Sequence, residues 1–374
     1  MTRGKDPAVD ERMMRRALAL AARGLGETNP NPAVGCVVAR GARVVGEGFH
    51  ARAGGPHAEV VALGAAGTRA RGATIYVTLE PCAHHGRTPP CAPLVRDSGV
   101  ARVVAALRDP SPLVAGRGLA LLRRAGIEVE TGLLAGEAAR LDERFLTWAR
   151  LGRPFVLLKA ALTLDGRIAT ASGRSRWITD RDQRSQARWL RRLQDAVLVG
   201  VGTALADDPL LLPSPRTRRP FLRVVLDSRL RLPERGRLAR TATPRTPVLV
   251  LSCAPDPARR RRLEAAGVEV AEAAAAEGRV SLVSALDALA ARGVASVMVE
   301  GGGEVLGSFL AGRLADQVAL FRAPLLLGGR RSRPAFGGPN PLDVRGALRL
   351  VPVPADPPFP WPWTPRFELW CPAR

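Results

Sequence analysis

The sequence predicts a two-domain α/β protein, and three observations carry that prediction. Apolar strand-like runs alternate with helical patterns along nearly the whole chain, which argues for layered α/β architecture. The length of 374 residues gives each of two domains enough chain for its own core. Gly152-Arg153-Pro154 sets backbone breakers ahead of a fresh apolar run at Phe155, dividing the chain into residues 1–151 and 152–374.

In the first half a helix is expected from Asp10 to Arg23, with Asp6 as its cap, Pro7 at its start and Gly24 at its end. The stiff loop Thr28-Asn29-Pro30-Asn31-Pro32 feeds a buried strand through Val34 to Val38, and Arg43 to His50 returns as its hairpin partner across Arg40-Gly41. Gly54-Gly55-Pro56 opens a helix at His57. Strands follow at Ala73 to Leu79, Ala101 to Leu107 and Ile127 to Val129, with helices at Ala92 to Asp97 and Gly118 to Ala125, and one closing helix from Ala135 to Leu151.

The second half continues the alternation. Strands are expected at Phe155 to Ala161, Ala196 to Gly200, Leu222 to Asp227, Pro247 to Ser252, Val268 to Glu272, Val294 to Glu300, Ala315 to Ala323 and Arg366 to Trp370. Helices are expected at Arg181 to Leu193, Ala258 to Ala266, Leu282 to Arg292 and Glu304 to Leu310. Leu212 to Pro220 and Pro352 to Pro365, rich in Pro and Arg, read as loops.

Composition narrows the function classes. The formal net charge of +22 invites a nucleic-acid reading, but Lys5 and Lys159 are the only lysines and arginines are scattered through every expected element. With 4% aromatic residues there are few platforms for stacked bases, so no nucleic-acid partner is expected, while small phosphorylated substrates suit the surplus. No apolar run approaches the ~20 residues that cross a bilayer, and residues 1–24 lack an uninterrupted apolar stretch, so neither membrane insertion nor a signal peptide is expected. Five cysteines without a framework pattern point to a reducing cytoplasm.

The chemistry concentrates in Pro56-His57-Ala58-Glu59 and in the run from Thr78 to Cys91, Thr-Leu-Glu-Pro-Cys-Ala-His-His-Gly-Arg-Thr-Pro-Pro-Cys. His57, Cys82 and Cys91 supply the three N and S ligands of a catalytic zinc, and Glu59 is a spare acid–base group. In a regular helix residues i and i+2 point about 200° apart, so His57 and Glu59 share a site only if His57 sits at the helix entry, where Gly54-Gly55-Pro56 places it. A His-x-Glu followed by Pro-Cys and a second Cys resembles the zinc-dependent deaminases of nucleobases and related heterocycles, with eight residues between the cysteines where two are usual. Buried apolar cysteines are the ordinary alternative, but they do not account for the ordered His-x-Glu, Pro-Cys and Pro-Pro-Cys.

Two further features stand in the second half. Glu300-Gly301-Gly302-Gly303 links a strand to a helix start, the setting in which backbone N–H groups take a phosphate. Lys159, a lone lysine where arginine is the usual cation, suggests a chemical need, against the alternative of a strand-end lysine reaching solvent.

Taken together, Pro30-Asn31-Pro32-x-Val34-Gly35, His57-Ala58-Glu59-Val60, the run from Glu80 to Cys91, Lys159 with Leu164-Asp165-Gly166-Arg167, Ser175-x-Trp177-Ile178-Thr179, Leu205-Ala206-Asp207-Asp208-Pro209 and Glu300-Gly301-Gly302 resemble the bifunctional deaminase/reductases of riboflavin biosynthesis over nearly the whole chain. The resemblance implies a cytidine-deaminase-like three-layer domain followed by a dihydrofolate-reductase-like α/β domain. It implies zinc-dependent deamination of 2,5-diamino-6-ribosylamino-4(3H)-pyrimidinone 5′-phosphate, then NADPH-dependent reduction of the ribosyl to a ribityl chain.

By position, the resemblance assigns zinc to His57, Cys82 and Cys91, proton transfer to Glu59, and the deaminase substrate to Asn31, His50 and His84. It assigns NADPH to Ala161, Trp177, Thr203, Asp207, Gly302, Gly303, Glu304, Val305, Leu306, Gly307 and Ser308, and the reductase substrate to Ser175, Arg191, Leu211 and Glu300, with Arg191 suited to the 5′-phosphate. Three positions depart from the family pattern. Ser214 stands where an arginine is usual, with Arg216 expected to replace it; Ser111 stands for an asparagine; and Leu325 stands for a lysine. A homodimer through the second domain is expected. The competing reading is a tRNA- or DNA-directed base deaminase with an accessory domain, which would bind RNA in a salt-sensitive way and use no NADPH. A zinc-stabilised binding module without turnover would leave Glu59 without a role.

Overall fold

The computed structural model describes residues 6–85, 89–111, 115–338, 343–354 and 364–373. Residues 86–88 of the loop between Cys82 and Cys91, and much of the expected loop at 352–365, lie outside the described residues. The chain forms two compact units that divide between Gly152 and Arg153, with the C-terminal strand belonging to the second.

The first unit is built on α1 (Pro7–Ala22), β1 (Gly35–Arg40), β2 (Arg43–Phe49), α2 (Ala58–Ala66), β3 (Thr74–Leu79), α3 (Cys91–Asp97), β4 (Arg102–Leu107), α4 (Arg117–Arg124), β5 (Glu128–Thr131), α5 (Ala135–Leu141) and α6 (Glu143–Leu151). Its five-stranded sheet runs β2-β1-β3-β4-β5, antiparallel across β2, β1 and β3 and parallel from β3 to β5. Alternation along the strands sorts the side chains: Cys36, Val38, Ile75, Val77, Val103 and Ala105 form one core with Ala58, Ala62, Val95 and Leu122 of α2, α3 and α4. Tyr76, of opposite parity, donates its hydroxyl to Asp10 of α1 at 2.6 Å, so α1 covers the other face and the unit has three layers. Asp6 caps α1, accepting from the Ala8 and Val9 amides.

The single helix expected from Ala135 to Leu151 is instead two, α5 and α6, parted at Asp142. The Asp142 side chain is turned to the Ala33 amide, from which it accepts at 2.7 Å.

The second unit contains β6 (Phe155–Thr163), β7 (Arg167–Ala169), α7 (Arg181–Arg192), β8 (Ala196–Gly200), α8 (Val201–Asp207), β9 (Leu222–Leu226), α9 (Arg237–Arg240), β10 (Val248–Ser252), α10 (Pro257–Ala265), β11 (Glu269–Glu272), β12 (Ala275–Ala276), β13 (Arg279–Val280), α11 (Leu282–Ala290), β14 (Ser296–Val299), α12 (Gly303–Ala311), β15 (Gln317–Ala323), β16 (Arg333–Pro334), β17 (Leu350–Pro352) and β18 (Glu368–Pro372). Nine strands form one sheet in the order β11-β10-β9-β8-β14-β6-β15-β18-β17, parallel through β15 and closed by the antiparallel β18 and β17. One face packs Val156, Leu158 and Val299 against Leu286 and Leu289 of α11 and Leu306 and Phe309 of α12. The other packs Val197, Val199 and Val225 against Leu238 and Leu263. Strand β6 runs to Thr163, two residues past its expected end, so Lys159 lies four residues inside that end. Helix α8 has no counterpart among the expected elements: at seven residues it is too short to show a helical period.

Candidate zinc centre and reductase site

His57 is the residue that caps the N-terminus of α2, in extended backbone conformation, and Glu59 lies in the helix's first turn. Cys91 opens α3, and Cys82 lies in the loop that leaves β3. Two helix starts and one strand end thus bring three ligand atoms within 4.8 Å of one another. His57 Nδ1 lies 3.2 Å from Cys91 Sγ and 3.6 Å from Cys82 Sγ. Tetrahedral zinc, at ~2.3 Å from sulfur and ~2.0–2.1 Å from nitrogen, requires N–S separations of about 3.5 Å, so the set fits the ion. Its electrostatics agree. A hydrogen bond from the Cys91 thiol, with help from His57, pulls the Cys82 thiol down to about 4. Sharing that proton with Cys82, and burial, push the Cys91 thiol far up. Three ligand atoms meet at one point, an arrangement that a dication satisfies.

Glu59 is buried, and desolvation pushes its carboxyl up to about 7. A carboxyl that titrates near neutrality can take a proton and return it. His50 is buried beside the zinc ligands, its ring edge-on to His57 with centroids 5.4 Å apart. Its Nδ1 is 3.0 Å from the Pro56 carbonyl and its Nε2 3.5 Å from Asn31 Nδ2, so Asn31, His50 and His57 form one wall. His84 is exposed, and the charge it bears on is that of Asp109. Ser111 donates its amide to Asp109 Oδ1 at 2.8 Å.

Two residues of this unit escaped the sequence reading. Glu80 is buried, and its carboxylate accepts from the amides of Asp109 (3.2 Å), Gly116 (2.9 Å), Gly118 (3.0 Å) and Leu119 (3.3 Å). It holds the start of α4 against the Pro81-Cys82 backbone so closely that a Cβ at Gly118 would meet the Pro81 carbonyl at 1.9 Å. Asp142 is the second: burial pushes its carboxyl up to about 7 while it holds the Ala33 amide just beyond Asn31. The signal for Glu80 was its place two residues before a ligand; Asp142 offered none, standing among the charged residues Arg140, Glu143 and Arg144 of one helical run.

In the second unit Glu300 follows β14, and Arg191 of α7 binds it through Nε and, at 2.8 Å, through Nη2. Arg191 Nη1 also donates to the Leu212 carbonyl at 3.0 Å. Lys159 Nζ lies 3.9 Å from the same carboxylate. Burial alone would raise the Glu300 carboxyl, but Arg191 and Lys159 outweigh it and hold it below its ordinary value. Burial lowers the proton affinity of Lys159 against the pull of Glu300.

Thr203 and the glycine turn meet directly, since Thr203 Oγ1 accepts from the Gly302 amide at 2.9 Å. Gly302 precedes α12, whose first two turns hold Gly303, Glu304, Val305, Leu306, Gly307 and Ser308. A Cβ at Gly302 would meet Thr203 Oγ1 at 3.4 Å, whereas one at Gly303 would meet the Pro334 carbonyl at 2.4 Å and one at Gly307 the Gly337 carbonyl at 1.6 Å, so α12 packs against residues 334–337 and Gly302 is the point of its start at which a phosphate has room. Trp177 is 66% exposed, with the Arg184 guanidinium 4.3 Å over its ring. Arg176 reaches back to the Asp207 carbonyl. Ala161 and Ser175 are partly exposed. The side chains of Leu211 and Leu306 are packed in the core, so these two offer a ligand backbone only.

The fold and the site define a zinc-dependent deaminase joined to a reductase domain. Residues 7–107 match the cytidine and deoxycytidylate deaminase zinc-binding region, and residues 154–355 match the RibD C-terminal domain. The riboflavin biosynthesis protein RibD of Bacillus amyloliquefaciens is 43% identical over 323 residues, covering 86% of each chain, and that of Escherichia coli is 42% identical over 339 residues, covering 85% of this chain and 89% of that one. The chain belongs to the RibD family, the bifunctional deaminase/reductases of riboflavin biosynthesis. The structure of RibD from Acinetobacter baumannii superposes with a TM-score of 0.85 at 36% identity, covering 99% of this chain and 100% of that one. A diaminohydroxyphosphoribosylaminopyrimidine deaminase/5-amino-6-(5-phosphoribosylamino)uracil reductase from Thermotoga maritima gives 0.83 at 38%, covering 98% and 99%. The enzyme uses zinc and NADPH, and the nucleic-acid deaminase reading is not favoured.

Proposed function

We propose that the two sites act in turn on one pyrimidine ribosyl phosphate, with roles that follow from the geometry. The observation that carries the first step is the His57, Cys82 and Cys91 triangle with Glu59 buried beside it. Those three residues would hold zinc, which when bound lowers the pKa of a water and supplies the nucleophile. Glu59 would pass one proton of the attacking water to the ring nitrogen and the other to the amino group as its C–N bond breaks, so that the water's oxygen stays as the carbonyl and ammonia leaves as a neutral molecule. His50 and Asn31 orient the ring from one side. His84 would meet the substrate only from its exposed position.

In the second step NADPH, when bound along Thr203 and the Gly302 turn, supplies the hydride. Glu300, flanked by Lys159 and Arg191, faces the ribosyl group. Lys159, made more acidic by burial, gives the proton to the ring oxygen as the bond from that oxygen to the carbon taking the hydride breaks. The protein acts in the cytoplasm, and it pairs as a homodimer through the second unit; among the described residues no helix is long and apolar enough to cross a membrane.

The test supplies 2,5-diamino-6-ribosylamino-4(3H)-pyrimidinone 5′-phosphate and follows ammonia and NADPH separately. Ammonia should appear without NADPH, and NADPH should be consumed only after deamination. Ammonia release from a tRNA or DNA base, with no NADPH consumed in either case, would favour the nucleic-acid deaminase instead.

A further inference from the structure

Helix α7 carries Arg181, Arg184, Arg188 and Arg191 at spacings of three, four and three, which sets all four within a sector of about 80°. Two of them are committed. Arg191 is bidentate on Glu300, and Arg184 donates to the Thr179 carbonyl while lying over Trp177. Arg188, one turn from each, is half-buried, and its guanidinium makes no hydrogen bond or ion pair with any of the described residues.

The acids of the neighbouring segments are taken. Asp180 and Asp182 at the start of α7 both pair with Arg366, Asp195 beyond its end pairs with Arg219, and Glu300 holds Arg191. Burial and the charges of Arg191, Arg184 and Arg181 all work against the proton on Arg188. The backbone alongside is fixed. The Ser214 amide donates to the Arg188 carbonyl at 3.1 Å, and the Leu212 carbonyl accepts from Arg191, so residues 212–214 run along the same face. Arg216, expected to supply a cation here, is exposed and pairs with none of the described residues.

An uncompensated guanidinium one turn from the Glu300 pair, among like charges and without a protein anion, is a standing site for an external one. We propose that Arg188 holds a phosphate monoester at the reductase site, a role that rests on the reading of that site given above. Arg191 is not free for it, because removing Arg191 from Glu300 would leave a buried carboxylate with Lys159 alone. Two ligands of this site carry a phosphate monoester: the substrate at its 5′ position and NADPH at its 2′ position.

Steady-state kinetics on the full-length enzyme with the deaminated substrate separate these sources. In Arg188→Ala a lost charge-assisted contact should raise the KM of the ligand concerned by roughly 10–150-fold with kcat little changed. Arg188→Lys should recover part of the loss, since it keeps the charge but not the planar fork. A raised substrate KM with unchanged NADPH KM supports the proposal with the 5′-phosphate as the anion. A raised NADPH KM with no change for NADH supports it with the 2′-phosphate. Unchanged values for both ligands overturn it, as does a fall in kcat alone that lysine does not relieve. Should the wild type consume no NADPH, the reductase reading fails separately, and calorimetric titration with inorganic phosphate decides: weaker binding to Arg188→Ala supports the site, and equal or absent binding to wild type and variant overturns it.

Discussion

The amide of Cys91 donates to the sulfur of Cys82 at 3.3 Å, so the helix start that carries one zinc ligand also steadies the other. This bond runs from the free N–H of a helix N-terminus to a thiolate, the arrangement that lowers a thiol's pKa. The Cys82 sulfur is thus positioned by the start of α3 as well as by its own loop.

The first prediction concerns that second thiol. Wild-type protein should hold about one zinc per protomer through three protein ligands. Cys91→Ala keeps the helix start and its amide but removes a ligand, and should lose most of the metal. Equal zinc in both proteins, by atomic absorption, would take Cys91 out of the site.

Glu59 stands beside the ligands without being one of them. Glu59→Gln should therefore keep its zinc while ammonia release falls by roughly 10²–10⁴, the usual worth of a positioned acid–base group. NADPH oxidation with deaminated substrate should be unaffected. Deamination near the wild-type rate would place the proton transfer elsewhere.

What the sequence made legible was local. His57 and Glu59 are two residues apart and Cys82 and Cys91 nine, and their flanking Gly and Pro residues announce the helix entries that aim them. What stayed hidden was long-range and polar. Asp142 meets Ala33 across 109 positions, as Arg191 meets Glu300, and neither pairing leaves a period or a turn signal in the chain. The helix expected through residue 142 breaks at Asp142, whose side chain makes a tertiary hydrogen bond that the sequence pattern does not encode. Arg216, expected as the replacement cation, is exposed in the loop that follows Ser214.

Asp142 gives a pH dependence whose sign can be worked out. Burial raises its carboxyl from an ordinary 3.8 to about 7 in the folded protein, so the native state binds the proton more tightly than the unfolded chain. The resulting stability is fully present below about pH 4 and is lost as pH rises through about 7. Asp142→Asn keeps an oxygen for the Ala33 amide and removes the titration. Urea midpoints of the two proteins between pH 5 and 8 should show wild type losing ground to the variant as pH rises. Parallel curves would mean that Asp142 is ionised in the native state throughout.

The last prediction tests Glu80 as the residue that positions the Cys82 loop. Its two oxygens accept from four backbone amides of the segment from Asp109 to Leu119. Oε1 serves Gly118 and Leu119, while Oε2 serves Asp109 and Gly116, so a glutamine can satisfy one pair only by pointing its NH₂ group at the other. An unsatisfied buried group costs about 1–3 kcal/mol, and Glu80→Gln leaves two amides facing a donor. The first unit should accordingly unfold at lower urea, by an amount on the order of 3 kcal/mol. Because α4 is held against Pro81, one residue from Cys82, the loosened loop should also release zinc faster to a chelator, although every ligand is intact. Glu80→Ala, which removes all acceptors, should be worse in both measurements. Lowered stability with an unchanged zinc release rate would reduce Glu80 to a purely structural residue, and unchanged values in both would show that water replaces it.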